Sequence, residues 1–233
     1  MVNYIFDIDG TLTPSRSTID KEFGSWFYNF CKLNNVFLVT GSDKPKTIEQ
    51  IGLEIYNSCK RVYNCSGNDV YLGYKNLYRS KWKLPTEAIK FLEDQLSIAD
   101  YSERYGNHIE HRFGLCNFSV VGRNANKSQR KKYVEYDHVS NERHIIAKAF
   151  NERFKGLDAN VAGDIGIDIT LRGCDKSQIL LDFNHNSAPI YFYGDKCQEG
   201  GNDYTISKAI EKRQDSSLVY EVKDWKETWQ LLK

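Results

Sequence analysis

The chain has 233 residues, 32 Lys+Arg against 31 Asp+Glu, a formal net charge of +1 and 40% hydrophobic residues. So even a balance excludes a bulk polyelectrolyte partner, and any functional field must be local. The length suits one large domain or two smaller ones, because a single core stops growing at roughly 250 residues. No stretch reaches the ~20 consecutive apolar residues of a membrane span. The N-terminus, MVNYIFDID, runs into acids where a secretory signal would stay apolar. The expectation is a cytoplasmic protein with no membrane partner. Six scattered cysteines, Cys31, Cys59, Cys65, Cys116, Cys174 and Cys197, form no C-x-x-C pair and read as reduced, buried thiols.

In chain order, the apolar run at 3–7 (NYIFD) predicts a buried strand, and the helical spacing of 19–31 predicts a helix. A second strand follows at 36–40 (VFLVT) and a second helix at 43–56, with Asp43 as its N-cap. Strand and helix in alternation imply a parallel sheet. The middle of the chain differs: a hairpin over 70–78 turning near Gly73, an amphipathic helix over 86–98, and two antiparallel strands over 108–122 meeting at Gly114. A long polar helical stretch occupies 126–154, and short strands follow around Asn160 and over 167–171. The first pattern then returns: helix 175–181, strand 189–193, helix 203–212, strand 218–222 and helix 224–232. The economical fold is α/β, a doubly wound, mostly parallel core from residues 1–80 and 175–233, with an α+β cap inserted at 81–174. No repeat of 20–50 residues is present.

Three segments carry chemistry. FDIDGTLTPSR (6–16) ends a strand with Asp7 and Asp9 two apart, so both carboxylates reach one face at the carboxyl edge where α/β sheets bind ligands. Taken alone, D-x-D also fits a turn with capping aspartates. An EF-hand loop is excluded, since Leu12 and Thr18 stand where it needs Gly and Glu. LVTGSD (38–43) ends a second strand in the hydroxyls of Thr40 and Ser42, suited either to a phosphoryl oxygen or to a helix N-cap. YFYGDKCQEGGND (191–203) ends a third in Asp195, with Gly200, Gly201, Asn202 and Asp203 opening the next helix. Three strand-end acids repel without a cation, and a hard, oxygen-liganded ion such as Mg²⁺ is their natural counterpart. The basic stretch 126–132 (NKSQRKK) invites a nucleic-acid reading, but a solvated helix face is the common outcome. His108 and His111, at i and i+3 on a strand, point to opposite faces and do not share a metal.

DIDGT, a strand ending in T-G-S, a helix-borne lysine and GD-x5-GND together resemble the motifs of the haloacid dehalogenase superfamily. Within it, DIDGTLTPSR, HRFGLCNFSVVGR (111–123), DITLRGCDK (168–176) and GDKCQEGGND (194–203) are similar to the eukaryotic-type phosphomannomutase family, in the same order over nearly the whole chain. The resemblance implies a Rossmann-like core and a phosphotransferase that interconverts mannose 6-phosphate and mannose 1-phosphate through an aspartyl-phosphate. It implies Asp7 as nucleophile, Asp9 as general acid and base, and Lys176, with Lys196 as an alternative, together with Thr40 and Ser42 on the phosphate. Mg²⁺ would take Asp7, Asp9 through its carbonyl, Asp195 and Asp203. Substrate would meet Arg16, Arg112, Arg123 and Arg130, with Asn117 and Asp168 on sugar hydroxyls. The arginines suit phosphate because each planar fork gives two parallel hydrogen bonds.

Two departures stand out. Gly166 occupies a position where the family usually has serine, so one substrate contact is lost or passes to the backbone. Ala209 stands where an acid for a second, structural cation is expected, which predicts that this ion is absent. The resemblance also implies a hexose 1,6-bisphosphate activator and a homodimer paired through the cap. The alternative is a sugar-phosphate or nucleotide phosphatase on the same core and cap.

Overall fold

The computed structural model describes residues 2–183 and 188–233. The chain begins with β1 (Asn3–Phe6), α1 (Lys21–Leu33), β2 (Asn35–Val39), α2 (Lys44–Ile51), α3 (Leu53–Ser58), β3 (Arg61–Asn64), β4 (Asp69–Leu72) and β5 (Lys75–Arg79). It continues through α4 (Thr86–Ile98), β6 (Ile109–Arg112), β7 (Leu115–Phe118), α5 (Lys127–Ser140), α6 (Glu142–Arg153), β8 (Leu157–Ala162) and β9 (Gly166–Leu171). It closes with β10 (Ile190–Gly194), α7 (Tyr204–Glu211), β11 (Leu218–Glu221) and α8 (Trp225–Leu232). Two compact units result: Met1–Ser80 with Cys174–Glu199 and Asp203–Lys233, and Lys81–Gly173 with Gly200–Asn202.

The first unit is a doubly wound sheet in the order β11-β10-β1-β2-β3-β4-β5. Strands β11 to β3 run parallel, and β4 and β5 turn back antiparallel. Strand β1 is buried on both faces because its neighbours in sequence point to opposite sides: Phe6 packs with Phe23, Phe27 and Tyr193, whereas Ile5 packs with Val39, Ile179 and Phe192. The chain leaves β1 toward β2 and later returns on its other side as β10. This makes the carboxyl end of β1 a topological switch point, where such sheets bind ligands.

The second unit is an antiparallel sheet, β6-β7-β9-β8, with one face covered by helices. Cys116, Phe118, Ile167 and Ile169 point into a core with Phe91 of α4, Tyr133 of α5 and Phe150 of α6. Among the described residues no helix is long and apolar enough to cross a membrane, and all six cysteines are free, five of them buried.

Several elements differ from the sequence pattern. The helix expected over 43–56 breaks at Gly52 into α2 and α3, although Asp43 caps α2 by accepting from the Lys46 amide. The polar stretch 126–154 is two helices, divided at Asn141, whose left-handed backbone ends α5. Residues Lys176–Asp182 form a 3-10 helix rather than an α-helix, started by Asp175, which accepts from the amide and hydroxyl of Ser177. His108 precedes β6, where its Nδ1 lies 2.9 Å from the Ser119 carbonyl. Strand β3 has no counterpart in the sequence reading. Its two apolar residues, Val62 and Tyr63, show no usable period, and pairing with β2 and β4 creates the strand.

Phe27 packs edge-on to Phe6 at 5.2 Å between ring centroids and against Phe23 at 5.6 Å, fully buried. Phe27→Ala is expected to cost about 3–5 kcal/mol, read as a lower midpoint in urea unfolding.

Candidate active site

The loop after β1 is set by the strand register. Phe6 lies beside Tyr193 and Leu38, and the Asp7 amide donates to the Tyr193 carbonyl at 2.9 Å, so Asp7 leaves the sheet at the carboxyl edge. The Ile8 carbonyl then accepts from the amides of Thr11, Leu12 and Thr13, which winds DIDGTLT into a tight loop. Gly10 sits at φ +82, and a Cβ there would run into the Asp195 carboxylate. Both the turn and the close approach of that acid require glycine. Thr228 of α8 donates its hydroxyl to the Thr11 carbonyl at 2.7 Å and ties down the far side of the loop.

Asp7, Asp195 and Asp203 each bring a carboxylate oxygen within 4.8 Å of the others. Lys176, only 2% exposed, donates to Asp7 Oδ1 at 2.7 Å and to Asp203 Oδ1 at 2.8 Å. Burial by itself would lower the Lys176 pKa, but Asp203 and Asp7 outweigh it and hold the ammonium well above its usual value. Burial, then Asp203, pushes the Asp7 carboxyl well up, with Lys176 opposing. Asp195 is pushed up to about 6, by burial first and then by Asp203, against the pull of Lys196. Three acids against one lysine leave two negative charges in excess, and Asp7 Oδ2 is buried without a partner. That balance and that orphaned oxygen fit a divalent, oxygen-liganded cation. Of the two lysines considered from sequence, Lys176 reaches Asp7. Lys196 is exposed and meets Asp203 through its backbone, its amide donating to the carboxylate at 3.4 Å and its carbonyl accepting from the Asp203 amide at 3.1 Å.

Asp9 stands apart from this cluster of side chains, so its carboxylate is not a fourth member of the acidic group. Its Oδ1 accepts from the Arg16 amide at 2.6 Å and from Gln50 Nε2 at 2.9 Å. Gln50, 1% exposed on α2, also donates to the Thr13 hydroxyl at 3.3 Å. No motif marked Gln50; only the packing of α2 against the loop brings it there. Arg16 adopts φ 56, a backbone conformation rare outside glycine, and its exposed side chain belongs to the same loop. Thr40 is buried at the end of β2, with its hydroxyl accepting from the Ser42 amide at 3.1 Å; Ser42 is half-buried. Thr40 thus helps to shape its own loop as well as lying at the same sheet edge as Asp7.

In the second unit, alternation along the strands puts the other sequence-derived residues on the sheet face opposite the helices. Arg112 of β6, Asn117 of β7, and Gly166 and Asp168 of β9 share it, together with Glu110 of β6. Asn117 donates to Asp168 at 2.6 Å, and its Oδ1 is buried without a partner. Gly166 has a steric reason: a Cβ would lie 2.5 Å from Asn117 Nδ2 and 3.2 Å from the Ala162 carbonyl. Here Asn117 fills the space beside residue 166 that a larger residue would need.

Arg112 bonds Glu110 Oε1 at 2.6 Å, and Arg123 bonds Glu110 Oε2 at 3.0 Å. Sequence reasoning passed over Glu110, although its i, i+2 spacing from Arg112 on a strand was visible. Arg130 turns inward, donating to the carbonyls of Ala125 and Arg123 at 2.8 Å each, and Lys131 and Lys132 pair with Glu135 and Glu103. Much of the basic stretch is therefore engaged within the unit.

Comparison with known proteins matches residues 25–233 to a family described as eukaryotic phosphomannomutase. A phosphomannomutase of Drosophila melanogaster is 32% identical over 232 residues, 94% of this chain and 91% of the relative. That of Spinacia oleracea is 33% identical over 213 residues, 87% and 84% of the two chains. That of Saccharomyces cerevisiae is 31% identical over 214 residues, 87% and 83%. Among solved structures, an IMP-nucleotidase of Plasmodium falciparum superposes with a TM-score of 0.65 at 17% identity, over 99% of this chain and 67% of the other. A sugar phosphatase of haloacid dehalogenase subclass IIB does so with 0.56 at 16% identity, over 94% of each. At these identities the structural matches establish the fold.

Two measurements probe these arrangements. Folding raises the Asp195 pKa above its unfolded value of about 4. The native state therefore holds the proton more tightly, and the associated stability is present below about pH 4 and lost as pH rises through about 6. Without divalent cation, Tm is expected to fall over that window more steeply in the parent than in Asp195→Asn; equal slopes would contradict it. Gly166→Ala is expected to cost about 1–3 kcal/mol by displacing Asn117, and distinctly less in an Asn117→Ala background, as a double-mutant cycle would read.

Proposed function

This chain belongs to the eukaryotic phosphomannomutase family, and from that premise we propose that it interconverts mannose 6-phosphate and mannose 1-phosphate through a phosphorylated Asp7. The observation that carries the proposal is the buried Lys176 joined to Asp7 and Asp203 at the switch point of the sheet.

In the forward step an Asp7 oxygen attacks the phosphorus of an activating hexose 1,6-bisphosphate or a sugar phosphate, and the bond from phosphorus to the sugar oxygen breaks. Asp9 gives its proton to the departing oxygen. In the return step it takes a proton from the hydroxyl that attacks the aspartyl-phosphate. Its Oδ1 is held by the Arg16 amide and Gln50, which fixes the carboxyl for both roles. Lys176 supports the charge of the transferring group while keeping Asp7 oriented. Asp7, Asp195, Asp203 and the carbonyl of Asp9 would hold Mg²⁺, which would supply charge neutralisation for phosphoryl transfer.

A mutase also has to hold the phosphate that is not reacting. We assign this to Arg112 and Arg123 of the second unit, with Arg130 bracing the Arg123 backbone and Asn117 and Asp168 on sugar hydroxyls; in the first unit Arg16 is a further substrate contact, and Thr40 and Ser42 serve the transferred group. At Gly166 no side chain is available, and any contact there is through the backbone. A cytoplasmic setting suits the free thiols, and pairing of two copies through the cap completes the reading.

The test supplies mannose 1-phosphate, Mg²⁺ and a hexose 1,6-bisphosphate, and follows mannose 6-phosphate and inorganic phosphate together. Isomerisation exceeding phosphate release is expected; release without isomerisation would assign a phosphatase instead. Asp7→Asn should lower turnover by at least about a thousandfold, since the nucleophile is lost.

A further inference from the structure

Glu110 places one carboxylate between two guanidinium groups. Arg112 engages Oε1 through Nε and Nη2, each at 2.6 Å, and Arg123 engages Oε2 through Nε at 3.0 Å. None of the three is freely solvated: side-chain exposure is 13% for each arginine and 29% for Glu110. Burial by itself would raise the Glu110 pKa, but Arg112 and Arg123 outweigh it and hold the carboxyl below its usual range. The acid thus stays charged wherever the arginines are needed.

Its backbone position is equally determined. Glu110 pairs across β6 and β7 with Asn117, which pairs across β7 and β9 with Asp168, so the carboxylate sits in one cross-strand row with the two polar residues assigned to the sugar. Arg130, donating to the Arg123 carbonyl, steadies the second arginine from outside the sheet.

We infer that Glu110 is a positioning residue of the distal-phosphate site, holding Arg112 and Arg123 side by side so that one phosphate can engage both. The inference rests on the assignment of those arginines to substrate in the preceding subsection. Two guanidinium groups brought together repel, and a carboxylate between them offsets that repulsion while fixing their planes. An arginine carries five N–H donors. Glu110 takes one from Arg123 and the Nε and Nη2 side of Arg112, and so orients both groups. The trio keeps a net charge of one positive unit, which still attracts a phosphate dianion.

The experiment compares steady-state kinetics of the full chain carrying Glu110→Gln, Glu110→Ala or Arg112→Ala, with mannose 1-phosphate as substrate. Glu110→Gln keeps the size of the side chain but removes its charge and turns one acceptor into a donor that opposes an arginine. Both Glu110 variants are expected to raise KM about tenfold or more with kcat within about threefold, because orientation of the held phosphate is lost while Asp7 and Asp9 are untouched. A merely structural role would lower Tm and the active fraction and leave KM in place, and that result overturns the inference. A fall in KM overturns it as well, since Glu110 would then compete with substrate for the arginines. If Arg112→Ala raises KM and the Glu110 variants do not, the positioning role fails alone. If Arg112→Ala also leaves KM unchanged, the arginine assignment itself fails.

Discussion

A single buried ammonium holds the carboxyl edge of the first unit's sheet together. Lys176 joins Asp7 at the end of β1 to Asp203 at the start of α7, so three segments far apart in the chain meet in two charged hydrogen bonds. Removing an ammonium from water costs several kcal/mol, and two well-directed carboxylates offset that cost. Each member therefore depends on the others, because losing one leaves an uncompensated charge in a dry site. Asp195 and Gly10 follow from the same arrangement: the acid approaches the cluster closely, and only a residue without a side chain lets it do so.

The second unit repeats this logic with the signs reversed. There a carboxylate, Glu110, stands between Arg112 and Arg123, leaving one positive charge where the first unit leaves two negative ones. A divalent cation would complement the acidic excess and a phosphate dianion the basic one. The near-neutral total of +1 thus conceals local excesses of opposite sign.

Most of the fold was legible where hydrophobic period and length agree. The buried run at β1, the helices α1 and α4 and the hairpin turning near Gly73 all appear where the pattern puts them. Strand β3 was not legible because four residues with two apolar members carry no period, and neighbouring strands impose their conformation. The breaks at Gly52 and Asn141, and the 3-10 form of 176–182, depend on caps and tertiary packing that periodicity does not register. At the site, D-x-D and GD-x5-GND marked Asp7, Asp195 and Asp203 directly, whereas Gln50, reaching Asp9 across 41 positions, carried no local signal.

The sequence by itself determined the chemistry available: strand-end acids too concentrated to stand without a counterion, a lysine and arginines to meet phosphate, and a parallel core interrupted by an antiparallel insertion. Tertiary structure decided which of these groups meet. It selected Lys176 over Lys196, turned Arg130 inward, gave Glu110 to two arginines, and made Gly166 a matter of room for Asn117. The physical reason is that residue type and spacing specify charge and local direction, whereas an ion pair or a steric fit depends on distances between segments that only the packed fold sets.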